Sequence, residues 1–352
     1  MRAAELRKNL IFEHFYISVL KPSALRKHFN RFNDLKILII GDVMIDSYIW
    51  GSVERISPEA PVPVVSVHRQ EKRLGGAANV ALNIKAMGAN PIICSVIGED
   101  ERKDEFISLL TAEEMTDIGI IVDSTRMTTM KTRVISSHQH LLRIDEEIDD
   151  PLSDTVEGQF IEQITGLLET GNINIIIFQD YDKGVITPRV IHSIVTTANE
   201  LRIPTLADPK LRNFLEYRNI TLFKPNFREL LNGLHVHVSK SDFAGMADIA
   251  KRFLHAKQGI EHVLITLSEL GVFVSTSGSG RKIAAEIRDI ADVSGAGDTV
   301  ISVAGVCYAT GMDIFSTAEI ANLAGGLVCE KPGVVPVDKE ELFKECVRVM
   351  CE

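Results

Sequence analysis

The chain has 352 residues, 45% apolar and 24% charged, with a formal net charge of −10. This is the composition of a globular chain with ample core material, as two average domains or one large α/β domain. The acidic balance argues against a nucleic-acid partner, and no apolar run reaches the roughly 18 residues of a membrane span. The five cysteines (Cys94, Cys307, Cys329, Cys346, Cys351) show neither a CxxC pair nor zinc spacing. Buried thiols in a reducing, cytoplasmic setting are therefore expected. The N-terminus carries charge at Arg2, Glu5, Arg7 and Lys8 and does not read as a signal peptide.

In chain order, residues 1–34 form an N-terminal extension with Phe12, Phe15, Tyr16, Val19 and Leu20. It reads either as a docked helix or in part as a start-site choice, and carries no chemistry. The main domain is expected over 35–352. It opens with the apolar run 36–40, the pattern of a strand buried on both faces, which ends at Gly41-Asp42 with Asp46 close behind. Between Tyr48 and Val67, Gly51, Pro58, Pro61 and Pro63 punctuate β-branched residues, as in edge strands of a small sheet. Gly75-Gly76 opens a helix with apolar residues at Ala77, Val80, Ala81, Ile84 and Met87, and Gly88 closes it. A strand over 92–97, a helix near 103–111 and a strand over 118–122 follow. Segments 131–135 and 140–145 form a second β pair, so a small lid sheet is expected from about 47–68 and 131–146.

Beyond Asp150-Pro151 strands and helices alternate regularly. Strands are expected at 173–178, 204–207, 221–223 and 262–266, with helices near 187–201 and 241–257. This alternation predicts a three-layer α/β fold, a parallel-type sheet with helices on both faces. Ligands then belong at the carboxyl ends of the strands, where Asp42, Asp46, Asp180, Asp208, Asn226 and Thr266 fall.

The stretch Asp292-Val293-Ser294-Gly295-Ala296-Gly297-Asp298-Thr299 opens an apolar helix pattern. Its glycines let successive N–H groups converge at a helix start, where the macrodipole favours an anion. The same field favours an ionised Asp298, which beside a phosphate can face an attacking hydroxyl as general base. A plain glycine turn capped by Asp298 and Thr299 accounts for the same residues. Asn226-x-x-Glu229 sets an amide and a carboxylate on one helical face, suited to a hard divalent ion with phosphate co-ligands or to a capping box. Neither GxGxxG nor GxxxxGK[ST] occurs.

Ser294-Gly-Ala-Gly-Asp-Thr299 resembles the C-terminal signature of the ribokinase-like (pfkB) sugar kinases, which implies that fold with a small β lid and makes Asp298 the catalytic residue beside Gly295 and Gly297. The resemblance further implies ATP and magnesium, with K+ as a further candidate ion. Asn226 and Glu229 would serve the metal and the ATP phosphates, and Thr266, Ser268, Gly271, Ala296 and Asn322 the nucleotide. Asp46, Gly75, Gly76 and Asn79 match positions that hold the sugar. The blocks 41–46, 55–64 (Arg-Ile-Ser-Pro-Glu-Ala-Pro-Val-Pro-Val), 75–81 and 139–145 resemble the D-glycero-β-D-manno-heptose 7-phosphate kinases. That family phosphorylates the anomeric oxygen on the route to ADP-heptose and lipopolysaccharide core. The chain reads as the stand-alone kinase, without the nucleotidyltransferase domain that many members carry. Arg143 and Lys183 lead the basic candidates for the sugar phosphate, with Arg55, Lys131 and Arg133. Gln179, Asp182 and Leu267 depart from the family pattern. A homodimer through the lid strands is expected, and a small-molecule sugar phosphate is the expected partner, with no membrane. Two other readings stay open: a kinase of the same fold for another sugar, and a non-catalytic sugar-kinase-like binding protein.

Overall fold

The computed structural model describes residues 21–136 and 139–351. The expected docking of Phe12, Phe15, Tyr16, Val19 and Leu20 lies outside the described residues. The described part of the extension holds helix α1 (Pro22–Arg31), entered at Pro22 and seated on the core through the fully buried Leu25 and Phe29.

Among the described residues thirteen strands form two sheets. The main sheet takes β1 (Lys36–Gly41), β4 (Asn90–Gly98), β5 (Gly119–Asp123), β8 (Ile175–Gln179), β9 (Thr205–Asp208), β10 (Leu222–Phe223), β11 (His262–Thr266), β12 (Val272–Thr276) and β13 (Gly280–Ile283). Their order is β13-β12-β11-β10-β9-β8-β1-β4-β5, parallel from β5 to β11 with β12 and β13 added antiparallel at one edge. The lid sheet takes β2 (Val43–Ile56), β3 (Pro63–Gly76), β6 (Met130–Ser136) and β7 (Gln139–Glu146) in the order β3-β2-β6-β7. Strands β2 and β3 reach further than the expected 47–68. The polar run Ser66 to Arg73 carries no apolar alternation, because that length of β3 is largely open to solvent on both faces.

Side chains alternate across the main sheet as the strand period requires. Ile37, Ile39, Ile175 and Ile177 enter one core, while Leu38, Ile40, Ile176 and Phe178 enter the other. The first core is covered by α1, α2 (Ala77–Ala86), α3 (Glu101–Ala112), α9 (Ala296–Ala309), α10 (Ile314–Cys329) and α11 (Lys339–Met350). The second is covered by α4 (Asp154–Thr170), α5 (Pro188–Leu201), α6 (Phe227–Leu234) and the helical run α7 (Phe243–Ile249), a π turn (Ala250–His255) and α8 (Ala256–Gln258). This is the expected ribokinase-like α/β architecture with a separate small sheet. Gly75 and Gly76 close β3 and open α2 as expected, with Gly76 its N-cap at φ 62°. The five cysteines are free thiols. Among the described residues no helix is long and apolar enough to cross a membrane.

Candidate active site

Helix α9 starts where the sequence places it. Gly295, its N-cap, sits at φ 77°, and a Cβ there would meet Val334 at 2.9 Å. Only glycine takes that conformation without strain. It offers no side chain to the first-turn N–H groups, which lack intrahelical acceptors; that of Ala296 donates to Val293 O at 3.3 Å. From Asp298 to Cys307 the helix is buried. It is pinned to α2 by three hydrogen bonds: Asn79 Nδ2 donates to Asp298 Oδ2 at 2.7 Å, Thr299 Oγ1 to Asn83 Oδ1 at 3.0 Å, and Ser302 Oγ to Val80 O at 3.2 Å. The helix behind Gly76 therefore holds the helix that carries Asp298.

Asp298 also accepts from the Tyr181 hydroxyl at 2.7 Å and from Gln179 Nε2 at 3.2 Å, both at Oδ1. Burial pushes its carboxyl up to about 6, partly opposed by the Asn79 and Tyr181 hydrogen bonds. The expectation of an ionised Asp298 is thus refined: desolvation outweighs the hydrogen bonds and charge that favour the carboxylate, and brings its titration towards neutral pH. A general base works best when its pKa lies close to the working pH.

Asp298 shares a cleft of about 290 Å³ with groups from four successive strand ends: Gln179 (β8), Asp208 (β9), Lys224 after β10 and Thr266 (β11). Asp208 pairs with Lys224 Nζ at 2.9 Å and also receives Gln179 Nε2 at 3.3 Å. Lys210 Nζ lies 2.7 Å from Glu229 Oε1. Asn226 and Glu229 form a full capping box at the start of α6, with bonds of 2.9 and 2.8 Å. The capping-box expectation is thus met, and the box also lines the cleft.

The remaining candidates separate. Gly297 faces the cleft with its Cα side towards Lys224, and Ala296 occupies the first turn of α9. Ser268, at φ 52°, is exposed in a short 3-10 turn that Gly271 ends, and neither lines the cleft. Asn322 lies outside the cleft lining and donates to Ala284 O at 2.8 Å, tying α10 to the segment after β13. Asp46 sits at the base of the lid, 2.5 Å from Arg133 Nη1, and a Cβ on Gly75 would meet Asp46 Oδ2 at 2.5 Å. Arg143 holds Asp145 through two bonds of 2.7 and 2.8 Å, and Lys183 holds Glu147 at 2.8 Å. Lys131 pairs with both Asp145 and Glu147. The basic lid cluster is therefore matched by carboxylates in this state, while Arg55 is exposed. Of the departures from the family pattern, Leu267 is fully buried in the second core and Asp182 pairs with Arg212 at 2.8 Å. Gln179 alone among them reaches the cleft.

Sequence reasoning places Asp208 at a strand end without a role, and passes over Tyr181, Lys210 and Lys224. A signal existed: Asp208-Pro209-Lys210 and Lys224-Pro225-Asn226 are charged X-Pro steps directly after strands, where proline enforces an extended exit.

The sequence model described as pfkB family carbohydrate kinase matches residues 34–340. The bifunctional protein HldE of Pelobacter propionicus is 40% identical over 318 residues, covering 90% of this chain and 64% of the relative. HldE of Helicobacter pylori (strain HPAG1) is 38% identical over 307 residues, covering 87% and 65%. The chain thus spans a little under two thirds of the length of these relatives. Phosphofructokinase-2 from Escherichia coli in complex with fructose-6-phosphate superposes with a TM-score of 0.71 at 16% identity, over 90% of this chain and 100% of that one. Arabidopsis thaliana ribokinase complexed with ribose and ATP gives 0.66 at 16% identity, over 88% and 99%. At such identity the likeness to the two structures is one of fold.

Proposed function

The chain belongs to the pfkB family of carbohydrate kinases, and we propose that it transfers the γ-phosphoryl group of ATP to the anomeric C1 hydroxyl of D-glycero-β-D-manno-heptose 7-phosphate. The observation that carries this reading is Asp298, buried at the N-terminus of α9 and lining the cleft with Lys210 and Lys224, where burial pushes its carboxyl up. The choice of sugar rests on the resemblance of block 55–64 and its neighbours to the heptose 7-phosphate kinases.

In this mechanism the sugar hydroxyl gives its proton to Asp298 as its oxygen bonds phosphorus and the bond to the ADP oxygen breaks. The first-turn N–H groups of α9, with Lys224 and Lys210 across the cleft, offset charge on the transferring group. Glu229 and Asn226 are hard oxygen donors that would help to hold a magnesium ion beside the ATP phosphates. Glu229 already has one oxygen on Lys210 and the other on the Asn226 N–H, and among the described residues no cluster of three acidic, His or Cys side chains forms a cage. When bound, such an ion supplies charge neutralisation of the ATP phosphates. On the sugar side, Asp46 with Gly75 and Gly76 would take hydroxyls, and Arg143 and Lys183 would exchange their carboxylate partners for the 7-phosphate.

The lid supports a homodimer. Leu141 and Leu142 are neighbours on β7 and so face opposite sides, yet both are exposed, as are Val67 and Ile144. One face can close over the sugar; the other calls for a second copy. Light scattering at micromolar concentration should give twice the monomer mass, and a fully active monomer would remove the dimer. The substrate is tested by coupled ADP release over a panel of sugars and sugar phosphates, with and without K+. Heptose 7-phosphate should give the highest kcat/KM. A better value for ribose, fructose or a nucleoside would overturn the assignment.

A further inference from the structure

Two of the three donors to Asp298 come from one short stretch and converge on one oxygen. Gln179 ends β8 and Tyr181 follows two residues later, so both side chains leave on the cleft side. Asp180 between them turns the other way, accepting from Asn213 Nδ2 at 3.2 Å and the Tyr217 hydroxyl at 3.3 Å. The stretch is fixed from behind by Asp42 at the end of β1. Its buried carboxylate accepts the backbone N–H groups of Tyr181, Lys183 and Val185 at 2.8, 3.2 and 3.0 Å.

A carboxylate oxygen has two lone pairs. Tyr181 and Gln179 fill both on Oδ1, whereas Oδ2 takes only the Asn79 amide among the described residues. The Gln179 amide shows the same priority. Its NH2 group bridges Asp298 and Asp208, while its own Oε1 is buried without a partner. The flipped amide would aim an oxygen at two carboxylates, so the acid pair dictates its orientation.

We propose that Tyr181 and Gln179 act as positioning residues, a two-donor clamp that locks Asp298 Oδ1, holds its proton affinity down and leaves Oδ2 as the atom that receives the substrate proton. The other charged or polar groups facing Asp298 are Asn79 from α2, Asp208 at the end of β9, and Lys210 and Lys224. Asp208 acts against the clamp and Lys224 with it, and neither contacts Oδ1. The inference rests on Asp298 being the base, so its test reads the carboxyl directly as well as through turnover.

The probe is carbon-13 NMR of the full chain with Asp side-chain carboxyls labelled, the Asp298 signal being the one missing in Asp298→Asn. Tyr181→Phe keeps the ring and removes one donor to the ionised form, so the Asp298 midpoint should rise by about one pH unit. Gln179→Leu should shift it the same way by less, and the double variant by more than either. The acidic limb of kcat should move with the midpoint in each. An unchanged midpoint in Tyr181→Phe, with the fold intact by circular dichroism, would overturn the clamp. A midpoint that rises while the limb of kcat stays in place keeps the clamp and removes Asp298 as base.

Discussion

Two regions of this molecule place carboxylates beside basic groups and perturb them in opposite directions. At the start of α9, three hydrogen-bond donors and Lys224 surround Asp298, yet burial still drives its carboxyl up to about 6. In the lid, Arg143 holds Asp145 below the ordinary carboxylate value by its hydrogen bonds. Burial alone would raise Glu147, but Lys131 and Lys183 outweigh it and hold it low. Enclosure decides the sign, more than the number of partners. The lid pairs stay close enough to water that ionisation is cheap, whereas Asp298 is sealed between α2, β8 and α9. The same contrast separates the roles proposed for the two regions. A base must release and take a proton near neutral pH, while groups that exchange one anion for another must stay charged throughout.

The largest effect expected from breaking this contrast is at the enclosed end. Asp298→Asn keeps the shape and removes the basic oxygen, so kcat should fall by roughly 10²–10⁴ with little change in nucleotide affinity. Steady-state kinetics on the sugar phosphate checks this. A kcat within a few-fold of the parent would remove Asp298 as the base and leave it a structural acceptor for Asn79, Gln179 and Tyr181.

At the lid the effect should be smaller and of another kind. Arg143→Ala removes a clamp that contributes alike to bound substrate and transition state, so KM should rise about tenfold with kcat nearly unchanged. If the Arg143–Asp145 pair were only an exposed ion pair, worth at most about 1 kcal/mol to stability, KM would not move.

The smallest effect is on stability. The folded Asp298 titrates near 6, above the 3.8 of a free carboxyl, as does Asp180. As pH falls through 6 the folded state binds these protons before the unfolded state does. Their contribution to stability therefore grows from about pH 7 down towards 4, and is lost again as pH rises through 6. Tm of the parent should gain from this between pH 7 and pH 5, and Asp298→Asn should reduce the gain by about 2 °C, measured by calorimetry. An identical pH response in both proteins would mean that Asp298 is less enclosed than its surroundings indicate.

The amino-acid sequence by itself determined the α/β alternation and marked the helix start that lines the candidate site. Continuous apolar runs marked the buried strands, helical periodicity marked α2, α3, α5 and the α7–α8 run but not α4, and Gly295-Ala-Gly-Asp298 marked the start of α9. Those are local signals, carried by residues a few positions apart. It did not reach the exposed length of β3 or the antiparallel edge of β12 and β13, where solvent on both faces or a position at the edge weakens the pattern. Nor did it show that the lid cations are already paired, or that Asp208 with Lys224, and Gln179 with Tyr181, share the cleft with Asp298. Asn79 and Asp298 lie 219 positions apart, and Gln179 and Asp298 119. Only the tertiary structure decided which donors and charges meet and how much water they exclude. The proton affinity of Asp298 depends on that enclosure, and no spacing in the chain encodes it.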